Sequence, residues 1–420
     1  MMKRKVRFVS MAATGLLTGL LLSGGMAVEA QDLEALPVLK ASEILPPKLL
    51  SGPSHRVEEK VLNDGYINHY KIETKFAIYP AVSTAKLRKR IREAYAIKAM
   101  EQVKGTKEFT AAIKEAGMDA LVGMKQLITR PMRTVYGAVS GAALAFRRAG
   151  DSIFGDKRSD TEESRLKDLI GFSKTKREYA YQFGVDVYTR NKHVQDRLDE
   201  IAWAGYAGGL TMSAAMSAIP GGAGLAVTVS GANRLLNEVF RTTTPSDLRR
   251  LNRKKLDAMG VNPDITDLFM NNTVFTPREQ TLLVAALDEM KGTANRNAFV
   301  KFAVPTKLAD MALFRQRQVE MYAGYQRNVE RIERFVLLGR FVAARTGGGK
   351  LVFISPLDHL VWSRTIDEYG AAIDYRLRSE PWVKERHMWV SGTVSPFARS
   401  KLEQSGWKIH EKSEERLFKR

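Results

Sequence analysis

Apolar and polar positions alternate through much of residues 56–79, and this pattern predicts strands with one buried face. In the second run, Tyr70 and Ile72 belong to the apolar set and Lys71 lies between them. An Asn-Asp-Gly sequence at 63–65 separates the two runs and is typical of a tight turn. Residues 56–79 are therefore predicted to form a β-hairpin.

The apolar spacing changes to the helical period after Ser83, a residue type suited to cap a helix N-terminus. Leu87 and Ile91 lie on the apolar face of this helix. Its remaining positions are strongly basic: Lys86, Arg88, Lys89, Arg90 and Arg92. Such a helix suits either an anionic membrane surface or a solvated outer face of a helix docked on the hairpin.

Residues 106–345 keep the helical period with few interruptions, which predicts a multi-helix body. Two helix starts have cap signals: Thr244 stands before a proline, and Thr276 stands before a proline with Glu279 three residues after the cap. The helix after Thr244 is the second basic one, with Arg249, Arg250, Arg253, Lys254 and Lys255. A last long helix is predicted over 305–345, ended by three glycines.

Residues 201–233 carry no charged side chain and are rich in Ala, Gly, Ser, Thr and Met. The segment predicts an apolar helical hairpin, whose first arm and turn contain Trp203, Tyr206, Leu210, Met212, Pro220, Gly221 and Gly222. Few of its residues are Leu, Ile, Phe or Val, which drive membrane insertion, whereas small residues allow close helix packing. A buried core hairpin is favoured over a membrane-inserted one, and both remain open.

After the glycines at 347–349 the pattern alternates between short strands and helices. Residues 346–420 therefore predict a small mixed α/β unit, whose strands are also candidates to share a sheet with the N-terminal hairpin. The predicted fold is mainly α. Its segments are 1–30, a signal peptide; 31–55, a linker; 56–105, the hairpin and basic helix; 106–345, the helical body; and 346–420, the α/β unit.

The N-terminal segment predicts export. Four basic residues precede an apolar run of signal-peptide length, and small residues lead to a cleavage site after Ala30. The expected location is the periplasm or outer envelope of a bacterium, and an uncleaved N-terminal anchor is the alternative. The chain has no cysteine, which excludes disulfides, thiolate metal sites and a lipid attached through cysteine.

The formal net charge is +20. Residues 1–30 contain four basic residues and one acidic residue, so +17 remains after cleavage. No nucleic-acid motif accompanies this charge, and for an exported protein the available polyanions are anionic lipid and envelope polymers. These are the partners we expect, with a solvated surface charge as the alternative, and nucleic acid is not expected.

Motifs for catalysis are weak. The glycine-rich sequence at 346–349 lacks a Ser or Thr after Lys350 and follows a predicted helix, unlike a phosphate-binding loop. The six histidines are scattered without metal-ligand spacing, and no nucleophile elbow occurs. Asp358 and His359 are adjacent, so on an extended chain they point opposite ways, and Asp358 is interpreted as a turn residue. No catalytic residue, metal ligand or cofactor is predicted.

Three hypotheses about function follow. The first is a non-enzymatic envelope protein that associates with anionic membrane surfaces or polymers through its basic helices. The second is a periplasmic enzyme or ligand-binding protein with a site between the helical body and the C-terminal α/β unit. The third is a secreted, pore-forming protein that inserts the apolar hairpin.

Overall fold

The N-terminal strands form an antiparallel sheet in the computed structural model, which describes residues 33–117, 160–217 and 231–419. The sheet has the order β1-β4-β5-β3-β2, and β6 also pairs with β5. Its strands are β1 Val38–Lys40, β2 Ser51–Gly52, β3 His55–Val57, β4 Lys60–Asn63, β5 Asn68–Glu73 and β6 Ile78–Val82. Two short helices, α1 Ala41–Ile44 and α2 Pro47–Leu50, lie between β1 and β2. Residues 38–40, 51–52 and 55 of the predicted linker thus belong to this sheet.

Helix α3, Thr84–Lys104, covers one face of the sheet. Tyr70 and Ile72 are buried against Leu87 and Ile91 of α3, whereas Lys71 is exposed, as the alternation predicts. Ser83 caps α3, because its hydroxyl accepts a hydrogen bond from the backbone N–H of Lys86.

The predicted helical body contains the helices α4 Lys107–Ala116, α5 Asp160–Gln182, α6 Lys192–Ala207, α7 Met212–Ser217, α8 Gly231–Thr242, α9 Pro245–Ala258, α10 Pro263–Met270, α11 Pro277–Glu289, α12 Asn297–Ala303 and α13 Ala309–Asn328. Thr244 caps α9, and Thr276 with Glu279 forms a reciprocal capping box at the start of α11. These starts match the cap signals because a cap is a contact between residues only three positions apart.

The apolar segment that begins at residue 201 packs inside the protein as far as the structure describes it. Trp203 and Leu210 are buried in a cluster with α3, α4 and α5, and Tyr206 and Met212 are half-buried beside it. Pro220, Gly221 and Gly222 lie outside the described residues. Among the residues that are described, no helix is long and apolar enough to cross a membrane.

The first arm of the predicted hairpin is interrupted in the structure. Helix α6 ends at Ala207, and residues 208–211, which begin with Gly208 and Gly209, separate it from α7. A Cβ at Gly208 would lie 1.9 Å from the carbonyl oxygen of Ala112, so this close approach requires glycine. The hydroxyl of Tyr179 then donates to the carbonyl oxygen of Leu210, 2.7 Å away.

The long helix predicted over 305–345 is wrong in its second half. Helix α13 ends at Asn328, and two antiparallel strands follow, β7 Ile332–Leu338 and β8 Phe341–Thr346. Apolar residues at 329, 332 and 336 fit a helical stripe, but Gly339 turns the chain with φ +65°, and the two strands pair on either side of it. The three glycines form a 3₁₀ turn between strands and do not end a helix.

The C-terminal region builds a separate mixed sheet with the order β13-β11-β9-β8-β7. Its parallel strands are β9 Lys350–Ser355, β11 Glu385–Val390 and β13 Trp407–His410, connected through α14 Arg364–Leu377 and α15 Pro396–Gln404. A two-stranded pair, β10 His359–Leu360 and β12 Thr393–Val394, and helix α16 Glu414–Leu417 complete the region. The fold is therefore a mixed one, with helices, an antiparallel sheet and a mixed sheet.

The two sheets do not merge, so the expectation of a shared sheet is wrong. Strands β7 and β8, which the sequence pattern assigns to a helix, take the place beside β9. Residues of the N-terminal region contact loops of the C-terminal region instead. The carboxylate of Glu34 accepts hydrogen bonds from the backbone N–H of Trp362 and the hydroxyl of Ser395, and Asp358 donates its backbone N–H to the carbonyl oxygen of Tyr66.

Candidate functional site

The basic face of α3 is largely neutralised by acidic partners within the protein. Four of its five predicted contact residues form ion pairs: Lys86 with Asp310 (3.1 Å), Arg88 with Glu414 (2.7 Å), Lys89 with Asp186 (2.8 Å) and Arg90 with Glu93 (2.7 Å). Arg92 is exposed and has neither an ion pair nor a side-chain hydrogen bond among the described residues. The face therefore presents less free charge than its sequence indicates.

The basic helix α9 is also partly neutralised, since three of its five predicted contact residues form ion pairs. Its contacts are Arg249 with the carbonyl oxygen of Met270 and the side chain of Asn271, Arg250 with Asp247, Arg253 with Asp267, and Lys255 with Asp288 (2.9 Å). Lys254 is exposed and has no ion pair within the described part of the chain. Exposed pairs of this kind contribute little to stability, yet they reduce the positive potential available to an outside partner.

A cleft of about 370 Å³ lies where the N-terminal sheet, α13 and the C-terminal loops meet. We call it the central cleft. Its lining consists of Asp64, Tyr66, Ile67, His69, Val82, Ser83, Thr84, Ala85, Arg88, Leu308, Ala309, Asp310, Met311, Leu313, Phe314, Arg317, Pro356, Asp358, Ser391 and Glu414. This volume falls in the range of small-molecule sites in proteins.

The topology of the C-terminal sheet explains why the cleft forms here. Strands β9, β11 and β13 run parallel, so the loops that follow them emerge at one edge of the sheet. Asp358 and Ser391 lie in the loops after β9 and β11, and Glu414 begins helix α16 after the third of these loops. Ligands of open α/β sheets commonly bind at the carboxyl ends of parallel strands.

Asp358 joins the C-terminal unit to the start of α3. One carboxylate oxygen, Oδ2, accepts hydrogen bonds from the backbone N–H groups of Asn68 (3.0 Å) and Thr84 (3.2 Å), and Oδ1 also accepts from Thr84 (3.1 Å). Burial raises the pKa of Asp358 above its ordinary value, although the two N–H groups oppose this shift. The sequence interpretation of Asp358 as a turn residue misses this role.

Glu414 bridges two arginines at the side of the central cleft. Its two carboxylate oxygens contact the guanidinium groups of Arg88, at 2.7 Å, and Arg317. Burial alone would raise the pKa of Glu414, but the positive charges of Arg317 and Arg88 outweigh it, and the pKa is lowered. Glu414 is therefore an ionised residue that fixes both arginines in place.

His69 lies at the mouth of the cleft beside Asp64. Its Nε2 atom is 2.9 Å from Oδ2 of Asp64, while the other oxygen of Asp64 accepts hydrogen bonds from the backbone N–H groups of Tyr66 and Ile67. The turn at 63–65 thus positions a histidine–carboxylate pair that is open to solvent.

The remaining wall of the cleft is apolar. Helix α13 supplies most of it, with Met311, Leu313 and Phe314, and Leu308 precedes the helix. The side chain of Leu308 is 69% exposed. The central cleft therefore combines a charged side and an apolar side.

The structure brings two of the scattered histidines together outside the cleft. Parallel pairing of β11 and β13 places Nδ1 of His387 3.0 Å from Nε2 of His410, and the other nitrogen of His387 contacts Glu385. Burial and the nearby positive charges lower the pKa of His410 to about 4. The contacts form a chain and do not converge, and no group of three or more metal-ligating side chains occurs among the described residues.

The neighbours Asp358 and His359 point to different partners, as expected from their adjacency. Nδ1 of His359 is 2.7 Å from the hydroxyl oxygen of Thr393, whereas Asp358 contacts the start of α3. Lys350, which follows the three glycines, forms an ion pair with Glu330 at 3.0 Å.

No family model, curated protein or solved structure matches this chain. An inference about function therefore depends on the chemistry of the central cleft.

Proposed function

We propose that this protein is an exported ligand-binding protein of the bacterial envelope, and that the central cleft binds a small amphipathic molecule. One observation supports this proposal: the same cleft has an apolar wall on α13 and a charged side formed by Arg88, Arg317 and Glu414. Three separate parts of the chain contribute to this lining, and its volume suits a small ligand.

Binding has more support than catalysis. Both oxygens of Asp358 already accept backbone hydrogen bonds, so this carboxylate is committed to holding the start of β5 and the start of α3. Glu414 is likewise engaged by two arginines. His69 and Ser391 remain as cleft residues with chemical reactivity, but no hydrogen bond connects them within the described residues.

The two other hypotheses have less support. Membrane association through the basic helices is weakened because most of their charges are paired within the protein. Pore formation by the apolar hairpin is weakened because Trp203 and Leu210 are buried in a hydrophobic core cluster.

The test uses two single-chain amphiphiles, octyl glucoside and octyl phosphate, below their critical micelle concentrations. We expect isothermal titration calorimetry to detect binding of both to the wild-type protein. Ala309→Phe places a large side chain in the cleft and should abolish binding of both. Ala258→Phe on α9, at an exposed position outside the cleft, is the matched control and should bind as the wild type does.

Absence of binding of either amphiphile to the wild type would contradict the proposal. Flotation with phosphatidylglycerol vesicles at low and high salt addresses the alternative. Salt-sensitive flotation that Ala309→Phe leaves unchanged would favour a role for the basic helices, because salt screens attraction to exposed charges.

A further inference from the structure

Ser83 lies on a sharp turn between strand β6 and helix α3, in the lining of the central cleft. Its backbone has φ +91° and ψ 152°, a combination that glycine adopts readily and that strains a residue with a Cβ. The backbone N–H of Ser83 donates to the carbonyl oxygen of Asn68 at 2.9 Å. The next N–H, that of Thr84, donates to Asp358 at 3.1 Å. Strained residues that the surrounding structure holds in place in this way are concentrated at functional sites.

The sequence around Ser83 has small residues on both sides. Ala81 and Ala85 lie two positions before and two positions after it. In the G-x-S-x-G elbow of serine hydrolases, a serine on a strained strand-to-helix turn exposes its hydroxyl, and glycine occupies these two positions. Ser83 stands on the same kind of turn with alanine in place of both glycines. A search for the glycine motif therefore does not find it.

A histidine–carboxylate pair lies beside this turn. In the β5–β6 register His69 is the partner of Val82, the residue before Ser83, and both His69 and Ser83 line the central cleft. Adjacent positions on paired strands are close enough for a long side chain to span them. Nε2 of His69 donates to Asp64 at 2.9 Å, so Nδ1 is the unprotonated nitrogen of the neutral ring. The pair therefore provides an oriented proton acceptor in the cleft.

The start of α3 suits a serine that reacts. The hydroxyl oxygen of Ser83 accepts from the backbone N–H of Lys86 at 3.2 Å, which leaves the hydroxyl proton to be donated. By contrast, the hydroxyl of Ser391 already donates to the carbonyl oxygen of Leu357 at 2.6 Å. Ala85 also lines the cleft, and its first-turn N–H has no acceptor among the described residues. This N–H and the positive end of the α3 dipole both favour a negative oxygen beside Ser83.

We infer that the central cleft is an esterase site in which Ser83 is the nucleophile, His69 is the general base and Asp64 is the positioning residue that orients His69. The substrate is an uncharged carboxylic ester with an apolar acyl chain. The apolar wall on α13 suits the acyl chain, and the arginines of the cleft are already paired with Glu414, which favours an uncharged ester group. This inference rests on the proposed function, because the cleft must hold the amphiphile before its ester reacts.

The reaction has two steps. In the first, Nδ1 of His69 takes the hydroxyl proton of Ser83 while Oγ forms a bond to the carbonyl carbon, and the N–H of Ala85 stabilises the negative carbonyl oxygen. The bond from this carbon to the alcohol oxygen then breaks, and the alcohol leaves with the proton from His69. In the second step a water molecule gives a proton to His69 and attacks the acyl carbon, and Ser83 leaves with that proton. The products are a carboxylic acid and an alcohol.

The experiment follows the hydrolysis of p-nitrophenyl octanoate and the labelling of the protein by an octyl fluorophosphonate, which bonds covalently to a reactive serine. We expect the wild type to hydrolyse the ester and mass spectrometry to locate the label on Ser83. Ser83→Gly should lower kcat roughly a thousandfold and prevent labelling, because it removes the hydroxyl. Glycine suits φ +91° and is tolerated at a helix cap, so this variant should fold. Thr244→Gly removes a capping hydroxyl outside the cleft and should leave kcat unchanged.

Asp64→Asn tests the positioning role. It should lower kcat at least about tenfold and leave KM unchanged, because the orientation of His69 matters for proton transfer and not for binding of the acyl chain. A purely structural role of Asp64 would instead change KM together with kcat.

The inference and the proposed function fail in different ways. A wild type that binds octyl glucoside but neither hydrolyses the ester nor takes up the label overturns the esterase site and leaves a cleft that binds amphiphiles. Full activity of Ser83→Gly, or a label on another serine, overturns the assignment of the nucleophile. Absence of binding of octyl glucoside and octyl phosphate to the wild type contradicts the proposed function itself.

Discussion

Replacing Asp358 should separate the start of α3 from the C-terminal loops. Its carboxylate is the acceptor for two backbone N–H groups, those of Asn68 and Thr84, from a part of the chain 274 to 290 positions earlier. Alanine at this position removes the acceptor for both groups. Asparagine retains one oxygen, and at the Oδ2 position a single oxygen already accepts from both donors.

The magnitude follows from these contacts. A hydrogen bond to a charged acceptor contributes roughly 1.5–3 kcal/mol, and the cost of burying the carboxylate offsets part of the gain from two such bonds. We therefore expect Asp358→Ala to lower the free energy of unfolding by about 3 kcal/mol. Asp358→Asn should cost less than about 1 kcal/mol, because it keeps one acceptor oxygen and removes a charge that is costly to bury.

The pH dependence has a definite sign. Burial raises the pKa of Asp358, so the folded protein binds this proton more tightly than the unfolded chain does. Protonation of Asp358 thus stabilises the fold. This contribution is present below the unfolded value of about 3.9 and is lost as pH rises through the raised folded pKa. The wild type should gain stability relative to Asp358→Asn as the pH falls from the raised folded pKa to the unfolded value of about 3.9.

Urea unfolding gives the free energies, and hydrogen exchange of the Asn68 and Thr84 amides reports the local contact. Asp257→Ala, an exposed carboxylate on α9 without an ion pair among the described residues, is the control and should change stability by less than about 0.5 kcal/mol. An Asp358→Ala variant within 0.5 kcal/mol of wild type, with both amides still protected, would refute the reasoning.

Three further predictions concern stability. Glu414→Gln should reduce the loss of stability on acidification, because a carboxylate with a lowered pKa stabilises the fold above its unfolded pKa of about 4.3 and loses this effect as the pH falls. Urea unfolding between about pH 6 and about pH 3 tests this. A dependence of stability on pH equal to that of the wild type would contradict it. Gly392→Ala should lower the free energy of unfolding by roughly 2 kcal/mol or more, because its Cβ would lie 1.8 Å from the carbonyl oxygen of Asp358. An unchanged melting temperature would contradict this, because it would mean that the loop adjusts at no cost. The Leu210→Asp variant should unfold at a lower urea concentration than the Met212→Asp variant, because Leu210 is buried and Met212 is half-buried. The reverse order would contradict the described packing.

Local features of the fold can be predicted from the sequence. The caps at Ser83, Thr244 and Thr276 are predicted correctly, because their hydrogen bonds join residues three positions apart. The alternation at Tyr70 and Ile72 likewise follows from the geometry of a single strand.

Non-local pairing limits the rest of the fold prediction. The segment after Asn328 carries apolar residues whose spacing fits both a helix and a strand. Its choice of strand depends on β8 and on packing against α12 and α13, where Phe335 meets Phe299 and Tyr322. Strand β8 follows β7 directly, but Phe299 and Tyr322 belong to helices α12 and α13, and the local apolar spacing carries no information on their packing.

The residues of the central cleft are difficult to predict from the sequence for the same reason. Arg88 is noticed in the sequence only as one of a basic run, and its partner Glu414 lies 326 positions away. Asp358, Arg317 and Glu414 belong to no local motif, so no spacing rule identifies them. The second hypothesis, a site between the helical body and the C-terminal α/β unit, names none of these residues, and it remains a proposal.

The long-range loop contacts also determine when the cleft can first exist during synthesis. Glu34 needs Trp362 and Ser395 as partners, and the start of α3 needs Asp358. Closing such long loops has an entropic cost and slows folding. Until residues beyond 414 have been made, the N-terminal sheet lacks one wall of the cleft. Ligand binding would therefore distinguish a chain that has made these long-range contacts from one that has not.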